Sequence, residues 1–160
     1  FDQALKVRLA KMIAANNDAS RLTAAWAADL VEGVEEIFKA EGIPRWAALS
    51  KITLERRRKG KGSGKDKILQ NEGVLANSVQ PQSGPNFGQA TTIDERARTL
   101  HYGAKQGQFG RSRLANKYGP SKGGPLPWGN IPPRPFMVIQ EHTKATIVAR
   151  GLKWVSGNGL

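Results

Sequence analysis

The spacing of apolar residues predicts a helix near the beginning of the chain. Leu5, Leu9, Met12 and Ile13 recur at intervals that place them on one stripe of a helix. The pattern stops at Asn16-Asn17, and asparagine favours caps and turns over helix interiors. A separate helix is therefore expected beyond this point.

The second predicted helix is longer and has a clear end. Asp18 or Ser20 suits its N-cap, while Gly42 and then Pro44 mark its C-terminal end. Two helices with one apolar face each need a sheet or another subunit to complete their burial. The apolar side of the second helix consists of Leu22, Trp26, Leu30, Val34, Ile37 and Phe38.

The middle of the chain predicts shorter elements. Residues 45–58 indicate a turn followed by a helix with Ser50 as its N-cap. Residues 68–80 and 86–93 are predicted as two weakly patterned strands that glycines and prolines separate. These two strands would form a small, mostly antiparallel sheet.

Two more helices are predicted towards the C-terminus. Residues 94–102 indicate a short helix that is capped by Asp94 and stopped by Gly103. Residues 137–155 are predicted as the end of a strand followed by a C-terminal helix. The pattern as a whole therefore predicts an α+β fold: an N-terminal helical pair, a small sheet with short helices, a C-terminal helix and long basic loops. With 160 residues, a single domain over 1–160 is expected.

Charge is concentrated in two segments. The chain holds 25 Lys and Arg against 13 Asp and Glu, a net charge of +12. Residues 45–67 and 111–160 contribute +7 each, whereas residues 1–44 carry −2. Basic segments attract polyanions, nucleic acid above all. An acidic protein surface or a role in solubility explains the same charge, so the partner stays open at this point.

Two segments are predicted to be flexible basic loops. Residues 59–67 contain glycine, serine and lysine without an apolar residue, and residues 103–130 are rich in glycine and basic side chains. The first is not a nucleotide-binding loop, because Gly64-Lys65 is followed by Asp66 where a Walker A motif requires Ser or Thr. Long loops in small domains usually bind a partner.

The sequence offers no convincing active site. It has no cysteine and two distant histidines, which argues against a metal centre. A triad of Ser78, His101 and Asp94 lacks any local signature, and Glu72, Asp94 and Glu95 are more readily explained by capping than by nuclease chemistry. We therefore expect no enzymatic activity, no cofactor, no metal and no small-molecule substrate. Neither a secretion signal nor a membrane-spanning segment is expected.

Five residues are predicted to act as structural anchors. Trp46, Leu49 and Phe136 suit the core, and a structural or interface role is favoured for His101. Arg134 lies between two prolines, which restrict the backbone that carries its side chain. A guanidinium held in this way can make a bidentate contact. A partner inside the same fold is favoured for Arg134 over a neighbouring subunit or a phosphate.

Four segments carry a resemblance to a known family. They follow one another in the family's order, behind two N-terminal helices, and the resemblance covers about residues 20–155. The segments are Trp46-x-x-Leu49-Ser50-x-x-Thr53-Leu54, Ile68-Leu69-x-x-x-Gly73-x-Leu75-x-x-Ser78-Val79, Ala97-x-x-Leu100-His101-x-Gly103 and Ile131-Pro-x-Arg134-Pro135-Phe136. In this pattern the chain resembles the virion morphogenesis (tail completion) proteins of Mu-like and related tailed phages. It departs from them in its long basic segment between Gly103 and Ile131 and in a less acidic C-terminal helix.

The resemblance implies a non-enzymatic virion protein that acts late in assembly. Proteins of this kind form rings at the head–tail junction, or neck, and contact other head, neck and tail proteins. The expected location is the virion, after assembly in the host cytoplasm. Contact with packaged DNA and docking on acidic protein surfaces are both compatible with the basic residues. The residues expected to supply these contacts are Arg56, Arg57, Arg58, Lys59, Lys61, Lys65, Arg111 and Arg113.

Two other functions are compatible with the same residues. A free DNA-binding protein would use the same basic segments, and a nuclease acting on DNA ends would need carboxylates beside them. The salt dependence of DNA binding tests the first alternative, because phosphate contacts weaken steeply as salt rises. Incubation with linear DNA and a divalent metal ion tests the second.

Overall fold

The chain folds into helices and a two-stranded antiparallel sheet, which confirms the predicted α+β class. The computed structural model describes residues 3–60, 66–113 and 122–156. Lys61 and Lys65 lie outside the described residues, as do residues 114–121 of the predicted 103–130 loop. The elements are α1 (Gln3–Asn17), α2 (Ser20–Lys39), α3 (Lys51–Arg58), α4 (Val74–Asn77), β1 (Val79–Gly84), β2 (Phe87–Thr92), α5 (Ala97–Tyr102) and α6 (Glu141–Val155).

Two compact units make up the chain. Unit 1 comprises Phe1–Glu36, Ser78–Thr92 and Val138–Leu160. Unit 2 comprises Ile37–Asn77 and Ile93–Met137. The single-domain organisation stays a prediction.

In unit 1, helix α2 packs against the β-hairpin and against α6. The Thr23 hydroxyl donates a hydrogen bond of 2.7 Å to the Gly84 carbonyl at the end of β1. The Trp26 indole N–H donates to the Ile147 carbonyl in α6 at 3.0 Å. Both bonds join a part-buried side chain of α2 to the backbone of another element. They fix α2 relative to the sheet and to α6 within this unit.

In unit 2, the core is built around three aromatic rings. Phe136 is fully buried, and its ring centre lies 5.3 Å from that of Phe38. Trp46 packs edge-on against Phe38 with 5.7 Å between ring centres. Gly42 makes this approach possible, because its φ is +104° and a Cβ atom there would lie 2.6 Å from the Trp46 ring. The predicted stop of α2 at Gly42 is thus also a packing requirement.

The predicted strand over 68–80 is wrong for most of its length. Leu69 and Gly73 have φ of +60° and +75°, so the backbone there turns and is not extended. The short helix α4 follows, with the Asn77 N–H bonded to the Gly73 carbonyl at 2.9 Å. Only from Val79 onward is the chain in a strand, and β1 pairs with β2 from Val79↔Thr92 to Gly84↔Phe87. The weak alternation in the sequence does not distinguish a turn with one buried leucine from a strand.

The short helix after the sheet begins later than predicted. Its N-cap residue is Arg96, without a side-chain hydrogen bond, so Asp94 does not cap α5 in the predicted manner. The Asp94 carboxylate instead accepts the Arg96 backbone N–H and binds the Arg96 guanidinium at 2.9 and 2.7 Å. The stop at Gly103 is confirmed, with φ of +74° and its backbone close to the Ile131 carbonyl.

The C-terminal helix is confirmed, but the strand expected before it is absent from the described residues. Helix α6 begins at Glu141, and its N-cap Gln140 has an extended backbone. Extended conformation without a neighbouring strand gives no ladder hydrogen bonds, so the apolar residues before α6 do not extend the sheet.

Candidate functional site

Helix α3 carries the first group of predicted contact residues. The Ser50 hydroxyl accepts the Thr53 backbone N–H at 3.2 Å, which confirms Ser50 as the N-cap. The last turn of α3 consists of Arg56, Arg57 and Arg58. Positive charge in the last turn is stabilised by the helix dipole, so the cap and the arginines favour the same short helix.

The three arginines of α3 have different surroundings. The Arg57 guanidinium is half-buried and donates to the Lys67 carbonyl at 2.7 Å, and burial lowers its pKa from the ordinary value. Arg58 lies 3.9 Å from Asp66, and both side chains are exposed. The Arg56 guanidinium carbon lies 4.3 Å from the centre of the Trp128 ring. The Arg56 guanidinium thus contacts an aromatic face, a favourable position for a cation.

A second basic element is formed by the two chain segments between Gly103 and Ile131. We call this element the arm; it consists of the described residues 103–113 and 122–131. Isolated antiparallel bridges join Ala104 to Ile131 and Arg111 to Pro125. Backbone hydrogen bonds between the bridges run from Phe109 N–H to the Leu126 carbonyl at 2.7 Å, and from Leu126 N–H to the Gly110 carbonyl at 2.8 Å. The described part of this predicted loop is therefore a hydrogen-bonded pair of segments.

The arm also presents basic and aromatic side chains. The Arg111 guanidinium donates to the Gly123 carbonyl at 3.1 Å, while Arg113 is exposed. Phe109 and Trp128 are about half exposed, at 55% and 49%. Sequence reasoning missed Trp128. The signal that could have found it is a tryptophan in a stretch of glycine, proline and basic residues, where a core position is implausible.

Helix α3 and the base of the arm meet inside unit 2. Arg56 lies over Trp128, and the Gln106 side chain donates to the Trp128 carbonyl at 3.1 Å. The two basic segments of the sequence, 45–67 and the beginning of 111–160, are thereby brought together. This juxtaposition could not be derived from the positions of the charges along the chain.

The net charge of the protein belongs entirely to unit 2. That unit contains 18 Lys and Arg against six Asp and Glu, which gives +12. Unit 1 contains seven of each and has no net charge. The two units therefore present chemically different surfaces to a partner.

The predicted anchors also lie in unit 2. The Trp46 indole N–H donates to the Pro135 carbonyl at 3.0 Å. His101 packs edge-on against Phe136 with 5.2 Å between ring centres, and its Nδ1 faces the Phe136 backbone N–H at 3.4 Å. Burial lowers the pKa of His101 from its ordinary value of 6.5. Leu49 is half-buried and lies outside the fully buried core.

Arg134 is buried, and no carboxylate of the described residues forms an ion pair with it. It is 7% exposed, and its guanidinium donates to the Ala47 carbonyl at 3.1 Å. Burial lowers its pKa first, and the nearby Arg57 charge lowers it further. Its Nε makes no hydrogen bond within the described parts of the chain. Arg134 therefore holds the proline-rich corner through a backbone carbonyl.

The comparisons with known proteins identify the family. The model of the phage virion morphogenesis family matches residues 2–156, nearly the whole chain. The chain belongs to the phage virion morphogenesis family. No curated protein and no solved structure matches it. The resemblance seen in the sequence is thus confirmed, and with it a role in phage virion assembly.

In this virion morphogenesis protein, the residues considered for catalysis have other contacts. The Ser78 hydroxyl is 2.6 Å from the Thr92 hydroxyl, Asp94 is bound by Arg96, and His101 packs on Phe136. In the described ranges, no three His, Cys, Asp or Glu side chains are arranged to hold a metal ion. Among the described helices, none combines the length and hydrophobicity needed to cross a membrane.

A cavity in unit 1 has a mixed polar lining. It has a volume of about 150 Å³ and lies between α2 and α6. Within its lining, His142 Nε2 is 2.7 Å from a Glu36 carboxylate oxygen, and Asp29 is 2.8 Å from the Arg150 guanidinium. Two of its carboxylates are therefore already in contact with side chains of α6.

Unit 1 of this family member carries an exposed apolar stripe. Helices α1 and α6 are in contact, and each has large apolar side chains that remain in solvent. On α6 these residues are Val148, Leu152 and Val155, which are separated by four and then three positions and so lie on one side of the helix. We call these residues the apolar stripe: Leu9, Ile13, Val148, Leu152 and Val155, which are 46–67% exposed.

Proposed function

We propose that this protein is a structural component of the phage head–tail junction. Several copies form a ring there that finishes the tail or joins it to the head, and DNA passes through the ring. The protein acts by binding and not by catalysis. Its partners are further copies of itself and other head, neck and tail proteins, and it stays in the finished virion at this junction.

The observation that carries this proposal is the apolar stripe on unit 1, the unit without net charge. Large exposed apolar side chains on two helices that contact each other are typical of protein–protein interfaces. Unit 1 has no net charge, so its surface adds nothing to the repulsion between copies that comes from unit 2. Unit 1 is therefore suited to assembly with proteins.

A ring follows if the stripe meets a different surface of the next copy. Such a heterologous contact repeats around an axis and closes when the rotation between neighbours allows it. Family membership supports a role in virion assembly, and the stripe supports an assembled state of the chain.

The experiment compares a stripe variant with a matched control. The stripe variant carries Ile13→Ser and Leu152→Ser, and the control carries Ile93→Ser, which removes a 93% exposed apolar side chain from unit 2. We expect native mass measurements to give a defined oligomer for the original protein and the control, and smaller species for the stripe variant. In a phage that lacks its own copy of the gene, the control should restore joined particles and the stripe variant should leave separate heads and tails.

Two results would contradict the proposal. One is a monomeric original protein at concentrations where the phage assembles. The other is a finished particle, examined by electron microscopy and mass spectrometry, that does not contain the protein.

A further inference from the structure

We propose that unit 2 binds duplex DNA through the surface formed by α3 and the arm. This inference rests on the proposed function, since it names DNA as the partner of the basic residues at the junction. The contacts are ionic, to backbone phosphates, and do not depend on base sequence. We call this the basic surface and define it by Arg56, Lys59, Lys105, Arg113 and Lys122.

Four of the five cations of the basic surface have no ion-pair partner among the described residues. Lys59, Lys105, Arg113 and Lys122 are exposed and form no ion pair among the described residues. Arg56 is held against an aromatic ring. Close to this surface, Arg57 and the buried Arg134 are near enough for the charge of one to lower the pKa of the other. A protein region that brings so many cations together is stabilised by a polyanion.

The kinds of residue distinguish DNA from an acidic protein as the partner. Half of the 18 basic residues of unit 2 are lysines. Lysine is depleted in protein–protein interfaces, whereas protein–DNA interfaces are more polar and far more positively charged. The large exposed apolar stripe, which an assembly interface would use, lies in unit 1. The two surfaces therefore fit two partners of different chemistry.

The geometry of the arm suits a DNA backbone. Its two segments are joined by backbone hydrogen bonds from the Ala104–Ile131 bridge to the Arg111–Pro125 bridge, so the cations project from a defined element. Arg113 and Lys122 lie beyond the second bridge, where Ser112 N–H bonds to the Gly124 carbonyl at 2.8 Å. The exposed Arg113 and Lys122 side chains at this end of the arm can therefore contact the phosphates of a duplex.

The test measures how DNA binding depends on salt. The full chain is titrated with a fluorescent mixed-sequence duplex of about 24 base pairs between roughly 50 and 200 mM salt. The surface variant carries Lys59→Gln, Lys105→Gln and Lys122→Gln. The matched control carries Lys6→Gln, Lys11→Gln and Lys153→Gln in unit 1, so both variants lose the same three charges from exposed positions.

We expect the surface variant to lose about 2.7 units of the slope of log K against log salt, because each phosphate contact contributes about 0.9. Its affinity near 0.1 M salt should fall at least about tenfold, while the control keeps the slope of the original protein. Equal effects of the two variants would overturn the inference. Displacement of the duplex by polyglutamate as effective as by unlabelled duplex would also overturn it, in favour of an acidic protein partner.

The same variants separate this inference from the proposed function. Equal DNA binding by the surface variant and the control variant, with intact oligomers and intact joining of particles, overturns the DNA inference and leaves the junction role standing. Salt-sensitive binding by a chain that never assembles and is absent from particles supports the DNA inference and contradicts the junction role.

Discussion

The Arg56 guanidinium carbon lies 4.3 Å from the ring centre of Trp128. Arg56 belongs to the last turn of α3, and Trp128 belongs to the arm. The contact joins the two basic segments of the chain. An aromatic face offers a cation a favourable contact without neutralising it. A surface that binds a polyanion keeps its charge in this way.

The Arg56–Trp128 contact should be measurable as a coupling energy. In a double-mutant cycle of Arg56→Ala and Trp128→Ala, we expect a coupling of about 0.5–1 kcal/mol in the free energy of unfolding, as for exposed cation–aromatic pairs. The control cycle pairs Arg56→Ala with Phe109→Ala, and its coupling should be near zero. Equal coupling in both cycles would mean that Trp128 has no special relation to Arg56.

Gly42→Ala should destabilise the protein strongly. The residue has φ of +104°, and the new Cβ would lie 2.6–2.7 Å from atoms of Trp46. We expect urea unfolding to show a loss of at least about 2 kcal/mol from strain and displacement of the core tryptophan. Gly129→Ala is the control, because a Cβ there meets nothing within 4 Å, and its effect should stay within about 0.5 kcal/mol.

Trp46→Phe tests the bond between the core and the proline-rich corner. The variant keeps an aromatic ring but loses the indole N–H that donates to the Pro135 carbonyl at 3.0 Å. The loss of this hydrogen bond and a smaller ring at a buried position should together cost roughly 1–3 kcal/mol of unfolding free energy. Trp128→Phe, at a half-exposed position, should cost much less. Equal losses would show that the bond to Pro135 does not stabilise the core.

Stability should fall as the pH is lowered through the ordinary range of histidine. Burial lowers the pKa of His101 below 6.5, so the folded state resists protonation while the unfolded state accepts a proton. Where the unfolded state binds more protons, the free energy of unfolding decreases as pH decreases. We expect this decrease between pH 7 and 5 to be shallower in His101→Gln. The same pH series on His142→Gln measures the contribution of the other histidine. An unchanged slope of the unfolding free energy against pH in His101→Gln would contradict the prediction.

The sequence determined the local elements whose signals lie within a few residues. Helices α1, α2 and α6 follow from apolar spacing, α3 from its Ser50 cap, and the end of α5 from Gly103. Caps and helical periodicity act over one or two turns, so a linear pattern contains them. The sequence pattern did not predict where the first strand begins, because Leu75 and its neighbours fit a turn of helix as well as a strand.

Tertiary structure alone decided which residues form the candidate surfaces. The linear sequence contains the two basic segments, but not the contact of Arg56 with Trp128 or the contact of helix α1 with helix α6. Nor does it show that Arg134 is buried against the Ala47 carbonyl and not against a carboxylate. Such relations depend on packing between residues far apart in the chain, where burial outweighs local preference.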